Sequence, residues 1–261
     1  MSKILVNINK LEEIEEYKKI GITNFLFAIE GFSIGYKTFA LSDIPEFSYL
    51  LINRVLDTSS VDKLASLKDE IKRFKGIIYE DIAVYQLFKN EDIELIWFQN
   101  HFTTNYASIN YWLNSGCISA VISNEITESE INEIFEKSNK PLILNILGKN
   151  QIMYSRRKLL TNFNTYNNLS DYNNMTLLEP ITNNKFKASE SDYGTVISDS
   201  EYFNYVPLMN TIDDTKIKYY LILNQDLSVI DIKEILEGKE FGNTGFLNKK
   251  TVYRMSEYND R

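Results

Sequence analysis

Seven short, apolar, β-rich runs recur along the chain at a beat of roughly 20–25 residues, a spacing that fits strand-then-helix repeats. They are Ile4–Val6, Phe25–Ile29, Tyr49–Ile52, Ile77–Tyr79, Leu95–Phe98, Ala120–Ile122 and Leu142–Leu147. The intervals read as amphipathic helices. Leu11, Ile14, Tyr17 and Ile20 form one stripe, with Glu12 and Glu13 in the first turn, Lys18 and Lys19 in the last, and Gly21 as the stop. Val61, Leu64, Leu67, Ile71 and Phe74 repeat the pattern, ended by Gly76. Thr127 with Glu130 makes a capping box that opens a helix carrying Ile131, Ile134 and Phe135. Uniformly apolar strands alternating with helices require a parallel sheet covered on both faces. Seven beats therefore predict an α/β fold, a (β/α) TIM-like barrel, closed or incomplete, in preference to a short open sheet. A dinucleotide-binding sheet would carry G-x-G-x-x-G after its first strand, and Val6-Asn-Ile-Asn-Lys10 does not supply it.

The beat breaks after Phe163. Short strand-like pieces follow from about Thr176, including Gly194–Ile197 and Lys218–Leu223, then a helix from Ser228 to Gly238 and a closing strand Thr251–Arg254. The division expected is a barrel-like domain over 1–175 and a small C-terminal α+β extension over 176–261, packed on it. The net charge of -8 repels nucleic acid, so autonomous RNA binding is disfavoured. A single cysteine, Cys117, excludes an internal disulfide and a multi-thiolate zinc or iron–sulfur site built from this chain alone. It reads as a packed thiol. No apolar run approaches the ~20 residues of a membrane span and no signal peptide opens the chain, so a cytoplasmic protein is expected.

In a (β/α) barrel the site lies at the C-terminal ends of the strands, so polar residues just after each run should converge on one mouth. These are Glu30; Asn53 and Arg54; Glu80 and Asp81; Gln99, Asn100 and His101; Ser123, Asn124 and Glu125; and Tyr154, Ser155, Arg156 and Arg157. Arginine presents a rigid fork that grips a carboxylate or phosphate bidentately. Adjacent helical residues point about 100° apart, so one of Arg156 and Arg157 is expected to be committed to a ligand. Taken singly, Glu30 and Glu80 also suit first-turn positions of helices. Glu125 stands out as a candidate catalytic acid or counter-charge because Thr127 already serves as the cap. From this set Glu30, Asn53, Glu80, Asn100, His101, Ser155 and Arg157 are the expected ligand-binding residues, with Glu125 and Arg156 catalytic. One histidine is too few for the usual zinc hydrolase ligand set, and Ser155 lacks a G-x-S-x-G elbow, so no metal site and no serine hydrolase is expected.

Three segments together resemble the U32 peptidase family. They are Asn105-Tyr-Ala-Ser-Ile-Asn-Tyr-Trp-Leu-Asn-Ser-Gly116, Ala120-Val-Ile-Ser-Asn-Glu-Ile126 and Met153-Tyr-Ser-Arg-Arg-Lys-Leu-Leu160. Glu179-Pro-Ile-Thr-Asn183, Asp192-Tyr-Gly-Thr195 and Gly245–Tyr253 look like the sequel in short bacterial members. The resemblance adds Asn105 to the ligand-binding set and Tyr154 to the catalytic one. It implies oxygen-independent hydroxylation of tRNA, ribosomal RNA or a quinone precursor, in a barrel that often holds an iron–sulfur cluster through four cysteines. Here Arg157 or Lys158 stands where cluster-bearing relatives have a cysteine, which implies a cluster-free member. It also implies a partner, a longer cysteine-bearing U32 paralogue, through which tRNA would be reached for uridine hydroxylation, and a small carboxylate- or phosphate-bearing ligand in the mouth. Peptide hydrolysis, as the family name records, and a non-catalytic scaffold are the alternatives.

Overall fold

The computed structural model describes residues 3–170 and 172–249. The strand expected at Thr251–Arg254 lies outside the described residues. In chain order the elements are β1 (Ile4–Asn7), α1 (Glu13–Lys19), β2 (Asn24–Ile29), β3 (Thr38–Phe39), β4 (Tyr49–Ile52), α2 (Thr58–Ser66), α3 (Lys68–Ile71), β5 (Gly76–Tyr79), α4 (Ile82–Phe88), β6 (Glu94–Trp97), α5 (Tyr106–Asn114), β7 (Ser119–Ile122), α6 (Glu128–Lys137) and β8 (Leu142–Gly148). They continue as β9 (Gln151–Ser155), α7 (Leu159–Asn167), β10 (Asn174–Leu178), β11 (Lys185–Ser191), β12 (Gly194–Asp199), β13 (Phe203–Asn204), β14 (Ile217–Ile222) and α8 (Val229–Leu236).

Every one of the seven apolar runs is a strand, and together with β14 they close a parallel barrel in the order β1, β2, β4, β5, β6, β7, β8, β14 and back to β1. The barrel is therefore complete, with eight strands. Closure rests on the register Ile4↔Tyr220, Leu5↔Leu221 and Val6↔Ile222. Successive strand side chains point to opposite faces, and the burial pattern follows. Leu5, Leu26, Leu51, Ile78, Ile96, Val121, Ile143 and Leu221 fill the interior, while Val6, Phe25, Leu50, Ile77, Ile122 and Leu144 meet the helices. Both faces are dry, which is why the strands read as unbroken apolar runs.

The sequence sets the helix starts through side-chain caps. Asp57, Asp81 and Asn105 accept backbone N–H groups at the starts of α2, α4 and α5, and Thr127 with Glu130 forms the expected capping box on α6. Ser228 and Asp231 form a second box on α8.

The division at residue 175 does not follow the sheets. Residues 217–222, assigned to the extension by their position after the break, supply the eighth barrel strand, because β1 and β8 would otherwise leave open ladder edges. What stands apart is an antiparallel sheet, in the order β10, β11, β12, β9, inserted between β8 and β14. Arg156 and Arg157 sit on the turn from β9 of this sheet into α7, not on a helix start, so the expected 100° relation between them does not apply.

The N-terminal end of the barrel is plugged by an aromatic and ionic group. Tyr49 donates to Glu94 and lies 3.3 Å from Tyr219 Oη, Lys75 Nζ donates to Tyr219 at 2.9 Å, and Lys218 pairs with Glu94 at 3.4 Å. Gly76, expected as a helix stop, is instead the first residue of β5, where a Cβ would fall 2.7 Å from both Glu94 O and the Tyr49 ring. Gly76→Ala should therefore lower the stability measured by urea unfolding by about 1–3 kcal/mol, as overpacking does. An unchanged midpoint would show that the plug has slack.

Candidate functional site

The other end of the barrel opens into a cavity of about 780 Å³, walled by residues that follow the strands and capped by β9 of the small sheet. Its inner end meets barrel-interior side chains, Phe98, Leu223 and the partly buried Tyr36. Asn145, a polar residue inside the otherwise apolar β8, is 3% exposed and its Oδ1 has no hydrogen-bond partner among the described residues. The indole Nε1 of Trp97, on the same cavity, is likewise buried and unpartnered. Buried polar atoms are paired in the great majority of folded proteins, so these two unpartnered atoms, on residues that line one cavity, are candidate partners for a ligand.

Glu80, directly after β5, lines the same space. Its carboxyl is pushed up to about 8 by burial alone, so at neutral pH it is mostly a neutral acid that can donate a hydrogen bond. Burial, reinforced by the proximity of Glu80, also raises the Tyr36 phenol. Two cations reach the cavity. Lys149 is buried but neutralised, its Nζ 2.8 Å from Asp226 Oδ2 and over the Tyr202 ring at 4.7 Å. Arg54 is 6% exposed, donates to the Ser60 hydroxyl, and lies 4.4 Å from the centre of the Tyr193 ring. No carboxylate among the described residues comes within ion-pair distance of it. A chain of amides completes the wall. The Asn124 N–H bonds to Asn100 Oδ1 at 3.0 Å, the Asn124 amide donates to Asn150, and the Asn150 amide donates to Asp199 at 2.9 Å.

Several expected site residues converge here. Asn53, Glu80, Asn100, His101 and Tyr154 line the cavity. Asn53 also has a structural task, its amide bonding both N–H and C=O of Ile34. His101 lies 3.1 Å through Nδ1 from Glu125 Oε2, at the exposed rim, and Glu125 itself stands behind it off the cavity wall. The remainder lie elsewhere. Glu30 is exposed and off the cavity, and Asn105 caps α5 by accepting the Ser108 N–H at 2.9 Å. The Ser155 hydroxyl accepts the Arg157 N–H, and the Arg157 side chain is exposed. Arg156 is held by Asp57, Nη2 to Oδ2 at 2.7 Å, tying the small sheet to the cap of α2. Hydrogen bonds from Ser60 and Ser59, together with Arg156, hold the Asp57 carboxyl below its ordinary range. The cavity's cation is thus Arg54, adjacent to the expected Asn53. The polar Asn145 inside an apolar run was the readable sign of the inner site. Tyr36, Lys149 and Asn150 carried no sign of comparable strength.

Fold and site define a (β/α)8-barrel protein with a cavity of mixed polar and apolar lining at the C-terminal ends of its strands. Comparison with known proteins gives the particular likeness: the model of peptidase family U32 matches residues 45–173, so over that stretch the chain is similar to that family. The tRNA hydroxylation protein P2 of Bacillus subtilis (strain 168) is 23% identical over 160 residues, 57% of this chain and 52% of that protein, so the match spans about half of the relative's length. The structure of the U32 peptidase Mk0906 superposes on 87% of this chain and 94% of its own with a TM-score of 0.52 at 10% identity, a likeness of fold. A four-cysteine iron–sulfur cluster does not fit the residues present. Cys117 is buried in the layer between barrel and helices, its Sγ 3.1 Å from Tyr79 Oη, and no group of three or more His, Cys, Asp or Glu suited to a metal occurs among the described residues. No helix among them is long and apolar enough to cross a membrane.

A carboxyl held above its ordinary value of 4.5 in the folded state gives stability that is full below that pH and lost as pH rises through about 8. Glu80→Gln should remove this loss. Urea unfolding at about pH 5 and about pH 9 should show the wild type losing on the order of a few kcal/mol more than the variant. Equal pH dependence in the two proteins would contradict the burial of an uncompensated acid.

Proposed function

We propose that this chain is a cluster-free cytoplasmic U32-family subunit supporting oxygen-independent tRNA uridine hydroxylation, with a cavity that binds a small carboxylate- or phosphate-bearing ligand. The observation that carries the reading is Arg54, a buried guanidinium on the cavity wall with no carboxylate partner among the described residues. An unpaired buried charge is costly, and an anionic ligand would complete it with the bidentate geometry that arginine favours. In the same cavity wall, a neutral Glu80 avoids the repulsion that a second anion would exert on such a ligand, and it can donate a hydrogen bond.

The relative named for tRNA hydroxylation supplies the reaction class, at low identity and over half of its length. The chain's net charge of -8 argues that RNA is met together with a partner, in this reading a longer U32 paralogue. Peptide hydrolysis has less support. Ser155 has no histidine beside it, its hydroxyl engaging the Arg157 backbone, and the lone His101 is paired with Glu125.

The test is nucleoside mass spectrometry of total tRNA from a strain lacking this gene, complemented with wild type, Arg54→Gln or Arg156→Ala. Wild type and Arg156→Ala should restore a hydroxylated uridine, and Arg54→Gln should leave it at least about tenfold lower, the loss expected when a charge-assisted contact of about 1.5–3 kcal/mol is removed. A deletion strain with an unchanged nucleoside profile would sink the reading. Restoration by Arg54→Gln would remove the anion site from it.

A further inference from the structure

Among the described residues the small sheet ends in an open edge at β10, which pairs only with β11. The bonds Glu190 N–H to Asn173 O (2.8 Å) and Glu179 N–H to Asn184 O (2.9 Å) fix which residues face inward. Antiparallel ladders alternate between residues bonded to the neighbour and residues bonded to the other side. Asn174, Thr176 and Leu178 therefore turn their N–H and C=O groups outward. The strand, Asn174-Met-Thr-Leu-Leu178, carries neither a charge nor a proline, the devices that ordinarily protect such an edge. Leu178 on it and Tyr172 and Ile181 beside it are exposed, the last at 90%.

We propose that β10 pairs antiparallel with β10 of a second copy of this chain, about a two-fold axis at Thr176, joining the two small sheets into one continuous sheet. Geometry admits a second copy and charge favours it. The outward set Asn174, Thr176 and Leu178 lets a two-fold axis pass through Thr176. An identical strand turned by the two-fold axis thus presents donors to acceptors along its length and sets Thr176 opposite its symmetry mate, a favourable cross-strand pair. Charge points the same way. The whole chain carries -8, whereas residues 151–199 hold five basic and five acidic side chains and β10 holds none. Two copies meet the least mutual repulsion along this strand. Lys185 and Lys187 lie on β11, one strand in from the edge. In the joined sheet the two sets stand three strand spacings apart, about 14 Å, beyond the screening length of about 10 Å at 0.1 M salt.

Sedimentation equilibrium of the full chain across a concentration series should give a species of twice the 30.4 kDa chain mass. Thr176→Pro removes one outward N–H per copy and leaves the ladder to β11 intact. Leu178→Lys places a charge on each edge. Each variant should keep the wild-type circular dichroism while raising the dimer Kd at least about tenfold. If Thr176→Pro does not fold, Leu178→Lys decides. A monomeric wild type, or a dimer whose Kd the folded variants leave unchanged, overturns the proposal.

Discussion

The pairing of β1 with β14 is the interaction on which the remainder of the molecule depends. Three register pairs, from Ile4↔Tyr220 to Val6↔Ile222, join strands more than two hundred residues apart and convert a curved sheet into a closed barrel. Lys3 extends the seam, its C=O accepting the Tyr220 N–H and its Nζ donating to Ile217 O at 3.0 Å. Closing so long a loop costs entropy before any contact repays it, though the cost grows only slowly with length. Closure removes both ladder edges and encloses an apolar interior in one step. It also brings the residues after β4, β5, β6, β7 and β8 onto one rim, where Arg54, Glu80, His101, Asn124 and Lys149 share a cavity that an open sheet would not form.

Within that cavity, burial acts on three ionisable side chains in different ways. Lys149 is offset by Asp226, which is itself held by the Tyr202 hydroxyl at 2.7 Å. Glu80 has no such partner and responds by staying protonated. Arg54 cannot respond in that way, because a guanidinium does not give up its proton in a protein. It stacks on Tyr193 from the small sheet and bonds to Ser60 at the start of α2. The insertion between β8 and β14 is therefore part of the site. It supplies the aromatic face over Arg54 and, through Arg156 and Asp57, its attachment to the barrel.

The barrel was legible because strands buried on both faces leave unbroken apolar runs, and the seven recognised runs are seven of its eight strands. The eighth, Ile217–Ile222, reads no differently as a strand; its placement was lost because the four-stranded insertion interrupts the beat ahead of it. The same insertion explains the arginines. Ser155 to Arg157 follow β8 in sequence and were therefore expected at the rim, but the chain turns into β9 at Gln151, and Lys149 and Asn150 take the position directly after the barrel strand, while Tyr154 reaches the cavity from β9. Asn53, Glu80, Asn100 and His101 lie at the mouth, since for them sequence adjacency to a strand end and spatial adjacency coincide. Tyr36 was out of reach because it enters from the β2–β3 loop, where no periodicity announces a cavity residue. Asn145 could have been read, as an amide within Leu142–Leu147 contradicts the apolar pattern around it.

The central claim is that burial keeps the Glu80 carboxylic acid neutral in the wall of a cavity that also holds an uncompensated arginine. Carbon-13 NMR titration of the glutamate side-chain carboxyls tests it directly, with the Glu80 resonance assigned by its disappearance in Glu80→Gln. The account predicts a midpoint near 8 for that resonance, raised by burial. A midpoint at the ordinary value of 4.5 would mean a hydrated, ionised carboxylate, and would contradict the reading of this cavity as an anion site with a neutral acid in its wall.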